Sequence, residues 1–142
     1  MNPSAGSSFH CTANSMEEGQ GGEALILAAV AGSGARHATT TATAIRRALD
    51  ALGARKIVLV TPYSQAVTDH EAEFLNEAGY DVIYAKGYEL AGSDAYCATP
   101  AEFWRDRVIE ARRGDADAYL VSCANISVFA VIEDLEGRLG RP

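Results

Sequence analysis

Three side chains in this sequence are thiols, Cys11, Cys97 and Cys123, and their surroundings differ. Cys123 lies in "YLVSCANISVFAVIEDLEGRLG", residues 119–140, where an apolar run gives way to small and polar residues and then to an amphipathic stretch. That order predicts a thiol at the last position of a strand with a helix N-terminus directly behind it. Backbone N–H groups and the helix dipole favour a thiolate at such a place. The competing reading of a cysteine on an apolar strand is a small buried hydrophobe. Cys11, in "FHCTANSM", is followed like Cys123 by a small or hydroxyl residue, then by an asparagine (Asn14, Asn125) and a serine (Ser15, Ser127). Two equivalent loops of this kind would each present a thiol and amide donors. Cys97 has no comparable neighbours and reads as structural. Tyr63, in "TPY", offers a hydroxyl that could bind a carboxylate or an oxyanion, or could simply be an aromatic with its hydroxyl in water.

Other chemistries find little support. An odd number of widely spaced cysteines argues against a disulfide framework and for reduced thiols. His10, His37 and His70 are scattered, no CxxC or HxxxH spacing occurs, and "HEAE" lacks the second histidine of a zinc motif, so no metal site is expected. "AGSGAR" and "EGQGG" do not form the GxGxxG that cradles a dinucleotide between strand and helix. The chain of 142 residues is 48% hydrophobic and 22% charged, enough to bury a core. Its net charge of −7 argues against a nucleic-acid or anionic-membrane surface, while leaving room for a local anion site. The apolar stretch "ALILAAVAG", residues 24–32, is too short to span a bilayer. The opening residues lack a basic start and apolar core, so a cytoplasmic setting is the expectation.

The elements that must position these groups follow from periodicity. Residues 1–22 read as loop, and "GEALILAAVAG" reads as helix on its alanines. "TATAIRRALDALG" places Ile45, Ala48, Leu49 and Leu52 on one helical face and ends at Gly53. "KIVLVTPY" (56–63) is a buried strand, "SQAVTDHEAEFLNEAG" a helix, "YDVIYAK" (80–86) a second strand and "DAYLVSC" a third. "TPAEFWRDRVIEARRG" opens with Thr99, Pro100 and Glu102 as a capping box, and Trp104 reads as core or interface. Arg112 and Arg113 offset the dipole at its end. The last helix carries Val128, Ile132, Leu135 and Leu139, with Ser127 as its N-cap.

From residue 56 onward the order is βαβαβα, which means a parallel sheet with right-handed crossovers in an open α/β unit. Ligands of such sheets bind beyond the carboxyl ends of the strands. "TPYSQ", "GYELAGSDAYCA" and "SCANIS" all fall there, and the middle one is long enough to be a functional loop.

Taken together, "CTANS", "ATTTATAIRRALDALGARKIVLVTPYSQAVTDHEAEFLNEAGYDV", "SDAYCATPAEFW" and "SCANIS…IEDLEGRLGRP" resemble the aspartate/glutamate racemase superfamily, in the branch of maleate cis–trans isomerase and arylmalonate decarboxylase. The resemblance runs from about Cys11 to Pro142. It implies a three-layer open parallel sheet, a flavodoxin-like lobe over residues 55–142, with part of a second similar lobe over residues 1–54. It also implies a cofactor-independent enzyme in which two cysteines face each other across the substrate. Cys123 matches one of these, taken as nucleophile, and Cys11 the other, taken as its paired acid/base.

Tyr63, Thr12, Asn14, Ala124 and Asn125 match positions that bind carboxylates or oxyanions. Decarboxylase members carry glycine at the first cysteine position, so the pair implies an isomerase or racemase. Maleate to fumarate is the reaction expected. An amino-acid or hydantoin racemase, or a non-catalytic fragment that binds dicarboxylates or pairs with another chain, are the alternatives. Family members have a further βαβ portion before the first cysteine and another strand and helix after the last one here, so the chain is expected to lack both ends of the family pattern. Self-association would then be one way to complete the cleft. No nucleic-acid or membrane partner is expected.

Overall fold

A computed structural model describes residues 6–142. β3 (Lys56–Thr61) is the centre of its larger sheet, with β4 (Asp81–Gly87) on one side and β5 (Ala118–Val121) on the other, all parallel. The β-branched run that makes β3 explains its position. Ile57, Val58, Leu59, Val60 and Thr61 are all buried, so both faces are covered, as a central parallel strand requires. Residue 83 is an extra residue in the β3–β4 pairing, which shifts between Ile57 and Val58.

Two helical layers cover this sheet. On one face, α3 (Thr41–Leu52) and α4 (Gln65–Glu77) pack Leu49, Phe74 and Leu75 against Ile57. On the other, α6 (Ala101–Glu110) and α7 (Ile132–Leu139) pack Trp104, Val108 and Leu135 against Val58 and Val60. Alternate residues of β3 thus feed different cores, which is the period-2 signature of a strand. Two helix ends follow from sequence. Thr40 caps α3 by accepting from the Thr43 amide, and Gly53 closes it in the left-handed conformation at φ 67°. Ser64 caps α4 by accepting from the Val67 amide.

A second, two-stranded parallel sheet pairs β1 (Gly6–Phe9) with β2 (His37–Thr40). Between them run the short α1 (Thr12–Met16) and α2 (Gly19–Gly32). α2 is apolar nearly all round and largely exposed, with Leu25 at 74%. Its buried side chain is Glu23, whose carboxylate accepts from Thr40 Oγ1, Thr43 Oγ1 and Arg46 Nη2. Among the described residues no helix is long and apolar enough to cross a membrane.

Several expectations need correction. The loop expected over residues 1–22 contains β1, α1 and the start of α2, while its first five residues lie outside the described ones. β2 was unforeseen, because "HATT" runs without punctuation into a helix. β5 ends at Val121, so Ser122 and Cys123 lie beyond the strand. No helix begins behind Cys123. A turn leads to a 3₁₀ segment (Phe129–Val131) before α7, and Ser127 caps neither. The capping box at residue 99 does not form either. Thr99 Oγ1 donates to the Ala95 carbonyl of α5 (Ser93–Ala98), and Pro100 takes the N-cap position of α6.

Candidate active site

Cys11 ends the β1 connection and caps α1, with extended backbone angles of φ −149° and ψ 115°. Its carbonyl accepts from the Ser15 amide at 3.1 Å. The helix start foreseen behind Cys123 is therefore found behind Cys11. Cys123 gains a different donor, since the turn after β5 brings the Asn125 amide to 3.4 Å from its sulfur. Both thiols are half-buried and unpaired.

Tyr63 lines the same space as both. It leaves β3 through Pro62, and its loop is clasped from above by residues 88–90. The Tyr88 amide donates to Thr61, Leu90 to Pro62 and Glu89 to Tyr63, at 2.9–3.0 Å. Beneath, Thr61 Oγ1 accepts from the Tyr63 amide at 3.1 Å and meets Thr68 Oγ1 at 2.7 Å. Gly87 makes this fit possible. A Cβ there would come within 2.5 Å of the Tyr63 carbonyl oxygen and 2.6 Å of Thr68 Oγ1. Burial pushes the Tyr63 hydroxyl far up from its ordinary pKa, and the neighbouring Cys123 thiol pushes it further in the same direction. It is thus a neutral donor.

A cleft of about 480 Å³ opens at the carboxyl ends of the strands, with Cys11, Asn14, Tyr63, Cys123 and Asn125 in its walls. Thr12 is buried in the first turn of α1 and Ala124 lies exposed on the turn, and neither belongs to those walls. Residues the sequence reading missed complete the enclosure. Tyr96 meets Tyr63 edge-on at 5.8 Å between ring centres, and Ser64, Leu90 and Ser93 line the same space. The length of the loop after β4 was the available signal for Leu90, Ser93 and Tyr96, but it named no residue. Cys97, one position on, is exposed, so it is not the buried small residue expected of a structural cysteine.

Among the described residues, the walls of this cleft contain no lysine or arginine. A carboxylate placed there would meet neutral donors: the Tyr63 hydroxyl, the Asn14 and Asn125 amides and the serines. Such donors stabilise developing negative charge when they are fixed in advance and shielded from water.

The arylmalonate decarboxylase family model matches residues 8–142. Arylmalonate decarboxylase of Bordetella bronchiseptica is 30% identical over 106 residues, which is 73% of this chain and 44% of that protein. A solved structure of unliganded arylmalonate decarboxylase superposes with a TM-score of 0.86 at 28% identity, covering 95% of this chain and 60% of that one. A maleate cis–trans isomerase from Nocardia farcinica, a mutant solved with a covalently bound succinylcysteine intermediate, gives 0.87 at 22% identity over 95% of this chain and 58% of that one. At that identity the likeness concerns the fold alone. The chain spans less than two thirds of each of these relatives.

Proposed function

This chain belongs to the arylmalonate decarboxylase family, and from that premise we propose that it isomerises a small dicarboxylate, maleate to fumarate, through a pair of cysteine thiols and without a cofactor. The observation that carries the reading is the placement of Cys11 and Cys123, delivered by separate sheets, in the walls of one cleft together with Tyr63. Residues 1–54 and 55–142 are, on this reading, two lobes that each supply one thiol.

The steps follow from the groups present. The Cys123 thiolate, supported by the Asn125 amide and the Tyr63 hydroxyl, adds to one alkene carbon of maleate. The π electrons move onto the adjacent carbon and its carboxylate, where neutral donors steady the charge. The carbon–carbon bond is then single and rotates. Electrons return, the carbon–sulfur bond breaks and fumarate leaves with the thiolate regenerated. Cys11 lends a proton to the carbanionic centre and takes it back before elimination. The succinylcysteine in the Nocardia farcinica enzyme is the kind of adduct this sequence of steps passes through. A cytoplasmic setting suits free thiols, and self-association would add a further wall to the cleft.

Proton NMR of maleate with the reduced chain tests this directly. The fumarate singlet is expected to grow, and to slow on the order of a hundredfold or more in Cys123→Ala and in Cys11→Ala. Undiminished turnover in both variants defeats the paired-thiol mechanism. Trapping the succinyl adduct assigns the roles. It should form on Cys123 in Cys11→Ser, and an adduct on Cys11 in Cys123→Ser exchanges nucleophile and acid.

The family match and the 30% identical relative favour a second reading, decarboxylation of an arylmalonate. One thiol would then protonate the carbanion left by departing carbon dioxide. Incubation with phenylmalonate separates the two, since phenylacetate would appear in place of fumarate.

A further inference from the structure

α2 (Gly19–Gly32) turns two unlike faces to its surroundings. The inner face carries Glu23, Ile26, Leu27 and Val30 at helical spacing, and all four are buried or half-buried. The outer face carries Gly21, Ala24, Leu25, Ala28, Ala29 and Gly32, all exposed, with Leu25 at 74%. No charged side chain occurs from residue 24 to residue 35. A solvated helix face carries charge, yet the charged side chain of α2, Glu23, turns inward to Arg46 and two threonines. A continuous apolar face left in the open marks a contact surface.

The glycines narrow what covers it. A Cβ at Gly21 or at Gly32 would meet no atom of this chain within 4 Å, and neither residue has a positive φ. Glycine inside a helix is destabilising relative to alanine, and here nothing within the chain requires it. A second backbone packed close against the face does.

The charges at the two ends narrow it further. Exposed Glu17 and Glu18 precede the helix, and exposed Arg36 follows it. Among the described residues none of the three takes part in an ion pair. Turned end for end, the surface therefore complements itself, acidic end to basic end. The exposed positions obey the same reversal. With residue 21 opposite 32, residue 24 falls opposite 29, 25 opposite 28 and 17 opposite 36. Each exposed residue then meets another, and the bulky Leu25 falls on the small Ala28. Such reciprocity is what a two-fold interface requires.

We propose that α2 pairs antiparallel with α2 of a second copy of this chain. Leu25 of each copy seats against Ala28 of the other, and Arg36 of each lies beside Glu17 and Glu18 of the other. One helix face is smaller than the roughly 800 Å² per partner of a standard interface, so a reversible dimer in the micromolar range is expected. No residue of α2 walls the thiol cleft, so the pairing is independent of the chemistry proposed there.

Sedimentation velocity of the full chain over a wide range of concentration tests the pairing, with reductant present so that exposed Cys97 forms no cross-link. The mass should climb from 15.0 kDa towards twice that value. Leu25→Glu should weaken the dimer on the order of a hundredfold, because it sets a charge in each half of an apolar contact. Leu25 is exposed in the single chain, so the change leaves the core alone, and Ala28→Glu repeats the test at the opposing position. Arg36→Glu should weaken the dimer severalfold, and adding Glu17→Arg and Glu18→Arg to it should restore the wild-type affinity.

In a parallel pair like ends would meet, so a triple variant that stays weak overturns the antiparallel arrangement. A mass of 15.0 kDa at every concentration overturns the pairing itself. So does a dimer that both glutamate variants leave intact. Flotation of a monomeric chain with phosphatidylcholine vesicles would also overturn it and assign the face to a lipid surface.

Discussion

Around Cys11, β1 and β2 pair over four residues of which only Thr40 is buried, and the groups that hold Thr40 are polar. Glu23, Thr40, Thr43 and Arg46 form one network, and Gln20 ties it on through Arg46 Nη1 and the Phe74 carbonyl. Around Cys123, β3 is buried along five of its six residues, and Trp104, Val108 and Leu135 seal one of its faces. One wall of the cleft is thus held by directed charge and hydrogen bonds, the other by apolar packing. Packing tolerates salt and depends on volume, whereas a charged network depends on every member being present.

The largest expected effect lies on the packed side. Trp104 is fully buried, so Trp104→Ala should cost about 3–5 kcal/mol, read as a fall in the urea midpoint. The loss should differ little between low and high salt. Glu23→Ala comes next, at about 2–3 kcal/mol, below the usual cost of a broken buried pair because Arg46 is 30% exposed. Hydrogen exchange should show amides of β2 and α3 losing protection while those of β3 keep theirs. Equal loss in both sheets would erase the distinction between the two regions. Gly87→Ala is the smallest of the three, at about 1–3 kcal/mol, because the added methyl must displace backbone at Tyr63. Its mark should be local, faster exchange of the Glu89 and Leu90 amides that clasp the tyrosine loop.

The same contrast explains what the sequence made legible. Apolar periodicity is written in single residues, so β3, β4, α3 and α4 were found close to their limits, and β5 and α6 were found but stop short of the expected ends. β1 and β2 carry no such pattern. "GSSF" and "HATT" are stabilised by pairing with each other and by the contacts of Thr40, a relation between distant segments that no local window contains. The small-residue pattern around Cys11 and Cys123 relates two thiol-bearing loops, yet the helix start lies behind Cys11 and not behind Cys123, where the sequence predicts it. That mistake has a physical source: "ANISV" contains enough small and polar residues to turn before the apolar spacing begins. The burial of Glu71, on α4 and 1% exposed, was invisible for another reason. Among the other carboxylates of "DHEAE" it looks like a solvated helix face, and only the fold turns it inward.

The clasp formed by Tyr88, Glu89 and Leu90 has a consequence for how this molecule can diverge. Three main-chain hydrogen bonds fasten the tyrosine to the end of β4, and main-chain bonds are indifferent to side-chain identity. Residues from Ser93 to Ala98 therefore hang from a fixed anchor and, apart from Tyr96 on the Tyr63 ring, can be exchanged without carrying Tyr63 with them. Such a layout lets one wall of the cleft change while Tyr63 stays in place.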